Sequence, residues 1–241
     1  MTGRLHLDHL SPGDVPLALA ERHRAMVVDE RLEVAVDPGW PRARLRDVVT
    51  GAGFEVEFIQ QPGRRTDGLV VTARRAHTLA DTVAPGMHLL VVGLNPSLFA
   101  ADAGVGFAHP GNRFWPAALA AGLVTVDRDP IHALLHHGIG MTDLVKRATA
   151  RAHELSTAEL RAGLERVSRL VEWLRPGAVC LVGITGWRAA AGRQATVGVQ
   201  AGGLSGSPLY VMPNTSGVNA HASLSELVEH LRAARALARC G

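Results

Sequence analysis

The sequence predicts an α/β fold: a three-layer sandwich with a mostly parallel central sheet flanked by helices, plus a small N-terminal α+β module. Three observations carry this. Short apolar runs at Met87 to Val92, Ala178 to Val182 and Leu209 to Met212 have the length of strands buried on both faces. Helical patterns separate them, and strands alternating with helices specify a parallel sheet covered on both sides. Finally, the texture changes at Asp81 to Gly86, which divides the chain into residues 1–84 and 85–241.

Element by element, Val15 to Val28 reads as a helix and Leu32 to Val36 alternates as a strand. Pro41 to Thr50 reads as a helix, with Pro41 suited to its first turn. Phe54 to Ile59 and Gly68 to Ala73 form a hairpin across a glycine-containing turn. These make a piece of about 80 residues, marginal as an independent core and expected to pack on the rest. Beyond the boundary, Met87 to Val92 is a buried strand and Asn112 to Leu123 an amphipathic helix. Pro130 to His137 is a second helix, and Ile139 to Leu144 leads into a loop. Ser156 and Glu159 open a long helix in a capping box, and that helix ends before Pro176-Gly177. Ala178 to Val182, a short helix over Thr185 to Ala191, and Leu209 to Met212 follow. Ser223 to Ala238 closes the chain as a helix, again with a capping pair, Ser223 and Glu226. No internal repeat is visible.

Composition narrows the function classes. The chain of 241 residues is 47% hydrophobic, so a sizeable core is expected. No apolar run approaches the roughly 18 residues of a membrane span, and the polar N-terminus does not read as a signal peptide. A cytoplasmic protein without a membrane partner is the expectation. Two cysteines, Cys180 and Cys240, cannot hold a four-cysteine zinc site or a disulfide framework, and Cys180 is expected to be buried. Lys146 is the sole lysine. The arginine excess suits phosphate recognition and a nucleic-acid partner, and equally follows from a GC-rich coding bias. Chemistry through a Schiff base would have to come from Lys146 or the N-terminus.

Two turns at strand ends concentrate the candidate chemistry. Gly93-Leu94-Asn95-Pro96 follows the first buried strand, and Met212-Pro213-Asn214-Thr215-Ser216-Gly217 follows the third. Turns at the carboxyl ends of neighbouring parallel strands face one crevice. The stretch from Ser97 to Arg113 would wall it. Asn95 is an amide and no strong base, so it would orient a water or a ring edge rather than remove a proton.

These segments resemble the mismatch-specific uracil-DNA glycosylases, which share a family with the thymine-DNA glycosylases in the uracil-DNA glycosylase superfamily. The resemblance rests on Gly93-Leu94-Asn95-Pro96, on Phe107-Ala108-His109-Pro110-Gly111-Asn112-Arg113-Phe114-Trp115, on Gly138 to Val145, and on Asn214-Thr215-Ser216-Gly217-Val218. It spans about Pro85 to Ala238. It implies a monofunctional enzyme, without metal or cofactor, that flips uracil from mismatched double-stranded DNA, cleaves the N-glycosidic bond and leaves an abasic site. Asn95 would hold the attacking water. Phe107 would stack on the base, and Leu94, Leu98, Phe99 and His109 would complete the base pocket. Backbone N–H groups of the Asn95 to Phe99 turn would stabilise the departing uracil anion. Arg113, Asn214, Ser216, Gly217, Val218 and Asn219 would meet the DNA, with Asn112 capping a helix. A monomer acting on the nucleoid is implied.

The second turn departs from the family pattern. Thr215 replaces a proline, Val218 is shorter than the leucine that wedges into the base stack, and Ala220 stands where bacterial relatives often carry an arginine. Preference for a guanine-opposed lesion is thereby placed in question more than the chemistry. A pocket preferring a deaminated purine such as hypoxanthine, a damage-binding protein without catalysis, and an unrelated nucleotide-binding protein are the rival readings. The N-terminal piece faintly resembles the tail of a class I methyltransferase. No glycine-rich loop precedes it, so an accessory role is expected.

Overall fold

A computed structural model describes residues 3–63, 68–192, 194–217 and 222–238. Two sheets organise them. The first has the order β1-β2-β4-β3, built from β1 (Gly3–His6), β2 (Arg31–Val36), β3 (Phe54–Gln60) and β4 (Leu69–Arg75). β1 lies parallel to β2, and β2 and β3 both run antiparallel to β4. The helices α1 (Val15–Ala25) and α2 (Arg42–Gly51) cover this sheet through Leu19, Leu45 and Val49, all buried against Val34, Phe54 and Val71. Pro41 stands outside the first turn of α2. Its backbone is extended and its carbonyl accepts from Leu45 N at 3.0 Å.

The second sheet has the order β6-β5-β7-β9-β8. Its strands are β5 (Leu89–Gly93), β6 (Ile139–Asp143), β7 (Ala178–Val182), β8 (Gly198–Leu204) and β9 (Ser207–Met212). The sheet is mixed: β6, β5, β7 and β9 are mutually parallel, and β8 pairs antiparallel with β9. Strand alternation sends Leu89 and Val91 to one face and Leu90 and Val92 to the other. On the first face they meet Phe114 and Trp115 of α4 (Phe114–Ala120), Ala133 of α5 (Pro130–His137) and Leu227 and Leu231 of α8 (Leu224–Leu237). On the second they meet Val167, Leu170 and Val171 of α6 (Thr157–Leu174) and Trp187 of α7 (Ile184–Ala190). The chain is thus α/β with helices on both faces of this sheet. Cys180 is buried in β7, and Cys240 lies outside the described residues.

Several expectations need correction. Residues 139–143 form a strand, β6, paired along its whole length with β5, where a run into a loop was expected. Strands β1 and β8 and the short helix α3 (Leu98–Ala103) have no counterpart in the sequence reading. The helix expected over residues 112–123 is shorter. Arg113 N is bonded to Thr215 O, and Gly122 with φ 70° turns the chain after the last turn.

The N-terminal elements dock on α6. Trp40 meets Trp173 edge to face, Arg44 lies over the Trp173 ring, and Arg169 pairs with Asp47 through two hydrogen bonds. Beneath them Asp81 receives Lys146 Nζ at 2.7 Å, Arg166 Nη1 at 2.8 Å and Thr142 Oγ1 at 2.7 Å. Gly51 has no space for a side chain because Asp81 and Arg166 press against it. Buried charge is tolerated only when paired in this way. The two flanking cations hold Asp81 below the ordinary carboxylate range despite its burial.

Candidate active site

β5 ends at Gly93, where Asp143 and the Phe107 ring crowd the space a side chain would take. The chain then turns through Leu94, Asn95 and Pro96. Residues 144–149, which leave the neighbouring β6, run beside this turn. Leu144 N donates to Gly93 O, Val145 N to Leu94 O and Thr149 N to Pro96 O. The first turn is therefore clamped along its length by main-chain bonds.

The clamp fixes Asn95. Its Nδ2 donates to Pro96 O and Arg147 O, both at 3.0 Å, and to Thr149 Oγ1 at 2.8 Å. Two of these partners are carbonyls and accept only, so the amide cannot be reversed. Oδ1 is left with no partner among the described residues and presents an acceptor at the strand end. Thr149 is buried and passes its own hydroxyl proton to Arg151 O at 3.0 Å. The sequence reading missed Thr149, which carried no motif signal of its own.

Phe107 is half-buried and holds φ at 58°, a left-handed conformation that bulky residues rarely adopt. It stacks on the buried Phe114, with ring centroids 4.3 Å apart and planes inclined at 22°. The strained backbone and the stack together fix the ring, a combination characteristic of functional sites. Phe107 also lines a cavity of about 370 Å³, together with Met141, Thr142 and Asp143. Asn95 does not line it; Phe107 and Asp143 form the boundary that the cavity shares with the end of β5.

Asp143 is the second residue the sequence reading passed over. It is half-buried at the end of β6, and loss of hydration pushes its carboxyl up to about 6. Lys146 and Arg166 oppose the shift and Asp81 adds to it. Such a carboxyl changes charge near neutral pH. No local pattern announces it, because the burial that raises it comes from the fold and Asp81 and Arg166 are distant in sequence.

Other candidate residues sit differently. Leu94 is half-buried and packs its side chain on Gly186 of α7, against the core. Leu98 and Phe99 lie at the surface, 43% and 47% exposed, and Phe99 meets the exposed His109 edge to face at 5.4 Å. His109 Nδ1 accepts from Gly111 N. Asn112 Oδ1 accepts from the N–H of Phe114, the first residue of α4, from one position ahead of the N-cap, which Arg113 occupies. Arg113 is turned inward, with Nη1 donating to Ala222 O at 2.5 Å and Nη2 to Ser216 O at 3.4 Å. It anchors the second turn from below. Within that turn Asn214 Oδ1 accepts from Ser216 N at 2.9 Å, and Gly217 lies tight on the Gly111 carbonyl. Val218 and Asn219, with Ala220 and His221, lie outside the described residues.

Two strand-end turns therefore flank one loop, residues 107–113, which touches both. The family described as the Uracil DNA glycosylase superfamily matches residues 80–237. The chain belongs to the uracil-DNA glycosylase superfamily. Its members are hydrolases that act on DNA, and the match covers β5 to α8 with both turns. In this superfamily member the only lysine is engaged: Lys146 is 10% exposed and ion-paired with Asp81. Among the described residues, no group of three or more His, Cys, Asp or Glu is placed to hold a metal ion, and no helix is long and apolar enough to cross a membrane.

Proposed function

We propose that the protein is a monofunctional DNA glycosylase that removes uracil from mismatched duplex DNA. The observation that carries this reading is the fixed Asn95 amide, with Nδ2 bonded three times over and Oδ1 presented at the end of β5. A flipped nucleotide would place its base against Phe107 and its C1′ above Oδ1. Base–aromatic contact of this kind contributes roughly 1–3 kcal/mol. The C1′–N1 bond breaks with its electron pair going to the base, and a water held by Oδ1 adds to the sugar cation. That water loses one proton, the uracil anion gains one, and the products are free base and an abasic site.

An amide-held water is a weak nucleophile, so stabilisation of the leaving anion supplies most of the acceleration. The first-turn amides of α3 at Leu98 and Phe99 suit that task, having no helical carbonyl to bond. Asp143, when protonated, can donate to a uracil oxygen, whereas its ionised form repels the anion. The buried Lys146–Asp81 pair withdraws the one lysine amine from a lyase step, which supports a monofunctional reaction. Residues 1–84 act in this reading as an accessory module, and the second turn fills the gap left by the flipped base.

The test is single-turnover release from end-labelled duplexes carrying G·U, A·U, G·T or hypoxanthine, and from single-stranded uracil, with alkali to reveal abasic sites. We expect cleavage after alkali for the wild type and a loss of about 100-fold or more in Asn95→Ala. Duplex binding with no cleavage of any substrate would overturn the reading in favour of a binding protein.

A further inference from the structure

We infer that Asp81 is a positioning residue for the reaction: through it the N-terminal module braces residues 142–149, the segment that fixes the Asn95 amide. The inference rests on the glycosylase reading above and assigns the module a task at the same site. The module reaches Asp81 through the end of α2. Asp81 N donates to Gly51 O at 2.8 Å, and a side chain at Gly51 would run into the Asp81 carboxylate and the Arg166 guanidinium. Thr78 Oγ1 donates to Lys146 O, and Thr82 exchanges two main-chain bonds of 2.9 Å with Met141. Residues 78–82 therefore lie along residues 141–146. Gly51 and Thr78 both precede residue 80, where the superfamily match begins.

From Asp81 the bonds run on to the first turn. Oδ1 accepts from Lys146 Nζ and Thr142 Oγ1, both at 2.7 Å, and Oδ2 accepts from Arg166 Nη1 at 2.8 Å. Arg166 Nη2 donates in turn to Asp143 O at 2.7 Å. Lys146 is thus held twice, at its ammonium by Asp81 and at its carbonyl by Thr78. The next carbonyl, that of Arg147, accepts from Asn95 Nδ2 at 3.0 Å. Leu144 N and Val145 N, on the same strip of chain, donate to Gly93 O and Leu94 O. One short segment is bonded on one side to Asp81 and its neighbours and on the other to the turn that carries Asn95.

The energetics favour positioning over stability as the use of this cluster. The side chains of Lys146, Arg166 and Asp81 are 10%, 7% and 4% exposed. Apolar residues of similar volume often stabilise a fold as well as such a buried ion pair does, so stability alone does not call for one. Buried charges do demand one geometry, because pulling either from its partner is costly. The register of residues 142–149 is held accordingly. A shift of about 1 Å in groups that orient a reactant, caused far from the chemistry, can cost about 100-fold in rate. Loosening the brace by part of that distance is therefore visible in turnover.

The test uses the full chain and single-turnover release of uracil from a G·U duplex at saturating enzyme, with duplex affinity and thermal unfolding measured beside it. Release is followed at pH 5, where the Asp143 carboxyl is protonated, so that loss of a neighbouring cation does not act through Asp143. Lys146→Met keeps the apolar stem and leaves Asp81 paired with Arg166. We expect it to lower release about fivefold with affinity within about twofold, the pattern of an interaction used in the transition state. Thr78→Val should lower release about threefold, and Thr78→Ser, which keeps the hydroxyl, should restore it. Arg169→Met breaks a separate polar tie of the module, to Asp47, and should leave release within about twofold. Loss of affinity in place of rate, an equal loss in Arg169→Met, or unchanged release in both Lys146→Met and Thr78→Val would overturn the inference and leave the uracil reading standing. No release by the wild type would overturn both. If Lys146→Met does not fold, the Thr78 pair decides alone.

Discussion

The two strand-end turns differ in how they are held. The Gly93 to Ser97 turn is bonded on its flank by residues 144–149 through three main-chain bonds, and its asparagine side chain makes three more. The Pro213 to Gly217 turn is held from beneath, by Arg113 and by close contact with Gly111, and its Asn214 Oδ1 accepts from Ser216 N inside the turn. A group that must orient one water needs its rotamer fixed to a fraction of an ångström. An element that meets DNA needs a supported backbone and a free outer surface. On the proposed glycosylase reading, this difference gives the chemistry to the first turn and the handling of the duplex to the second.

Substitutions can break this division. The largest effect after Asn95→Ala is expected for Thr149→Val, which removes the hydroxyl that accepts from Asn95 Nδ2 while keeping the shape. Single-turnover release should fall about tenfold, or ~1.4 kcal/mol in barrier, with duplex affinity unchanged in a gel shift. Next is Gly217→Ala, whose new methyl meets the Gly111 carbonyl and must displace the second turn. Release from a G·U duplex should fall several-fold while release from single-stranded uracil holds, because only the duplex needs the gap filled. Equal losses on both substrates would erase the distinction between the turns.

The smallest effect is one of pH. The Asp143 carboxyl, raised to about 6, is protonated below that value and loses its proton as pH rises through it. Its help to the leaving anion is therefore present at pH 5 and lost by pH 7. Release by the wild type should decline a few-fold across that interval, and Asp143→Asn should flatten the profile. A profile unchanged by the substitution would remove Asp143 from the base pocket.

The sequence showed much of the frame and rather less of the site. Strands buried on both faces announce themselves as unbroken apolar runs, which is why β5, β7 and β9 were legible. β1 and β8 lie at sheet edges, the one four residues long with alternating exposure and the other containing Gly198, Gly202 and Gly203, so neither gives an apolar run. β6 is also an edge strand, and Gly140 and Thr142 interrupt it. α3 has only six residues, too few for periodicity. Within the site, Asn95 and Phe107 stood in recognisable motifs. Thr149 and Asp143 did not, because each gains its role from the folded surroundings: Thr149 from Asn95, and Asp143 from burial near Asp81 and Arg166.

The ion pair that occupies Lys146 also bears on how the protein can be modified. With its one lysine 10% exposed and bonded to Asp81, this sequence offers acylating enzymes and amine-directed labels no open side-chain target. The positive charge on its surface is carried by guanidinium groups, which stay protonated throughout the physiological range. Neither acetylation nor mild alkali can tune it.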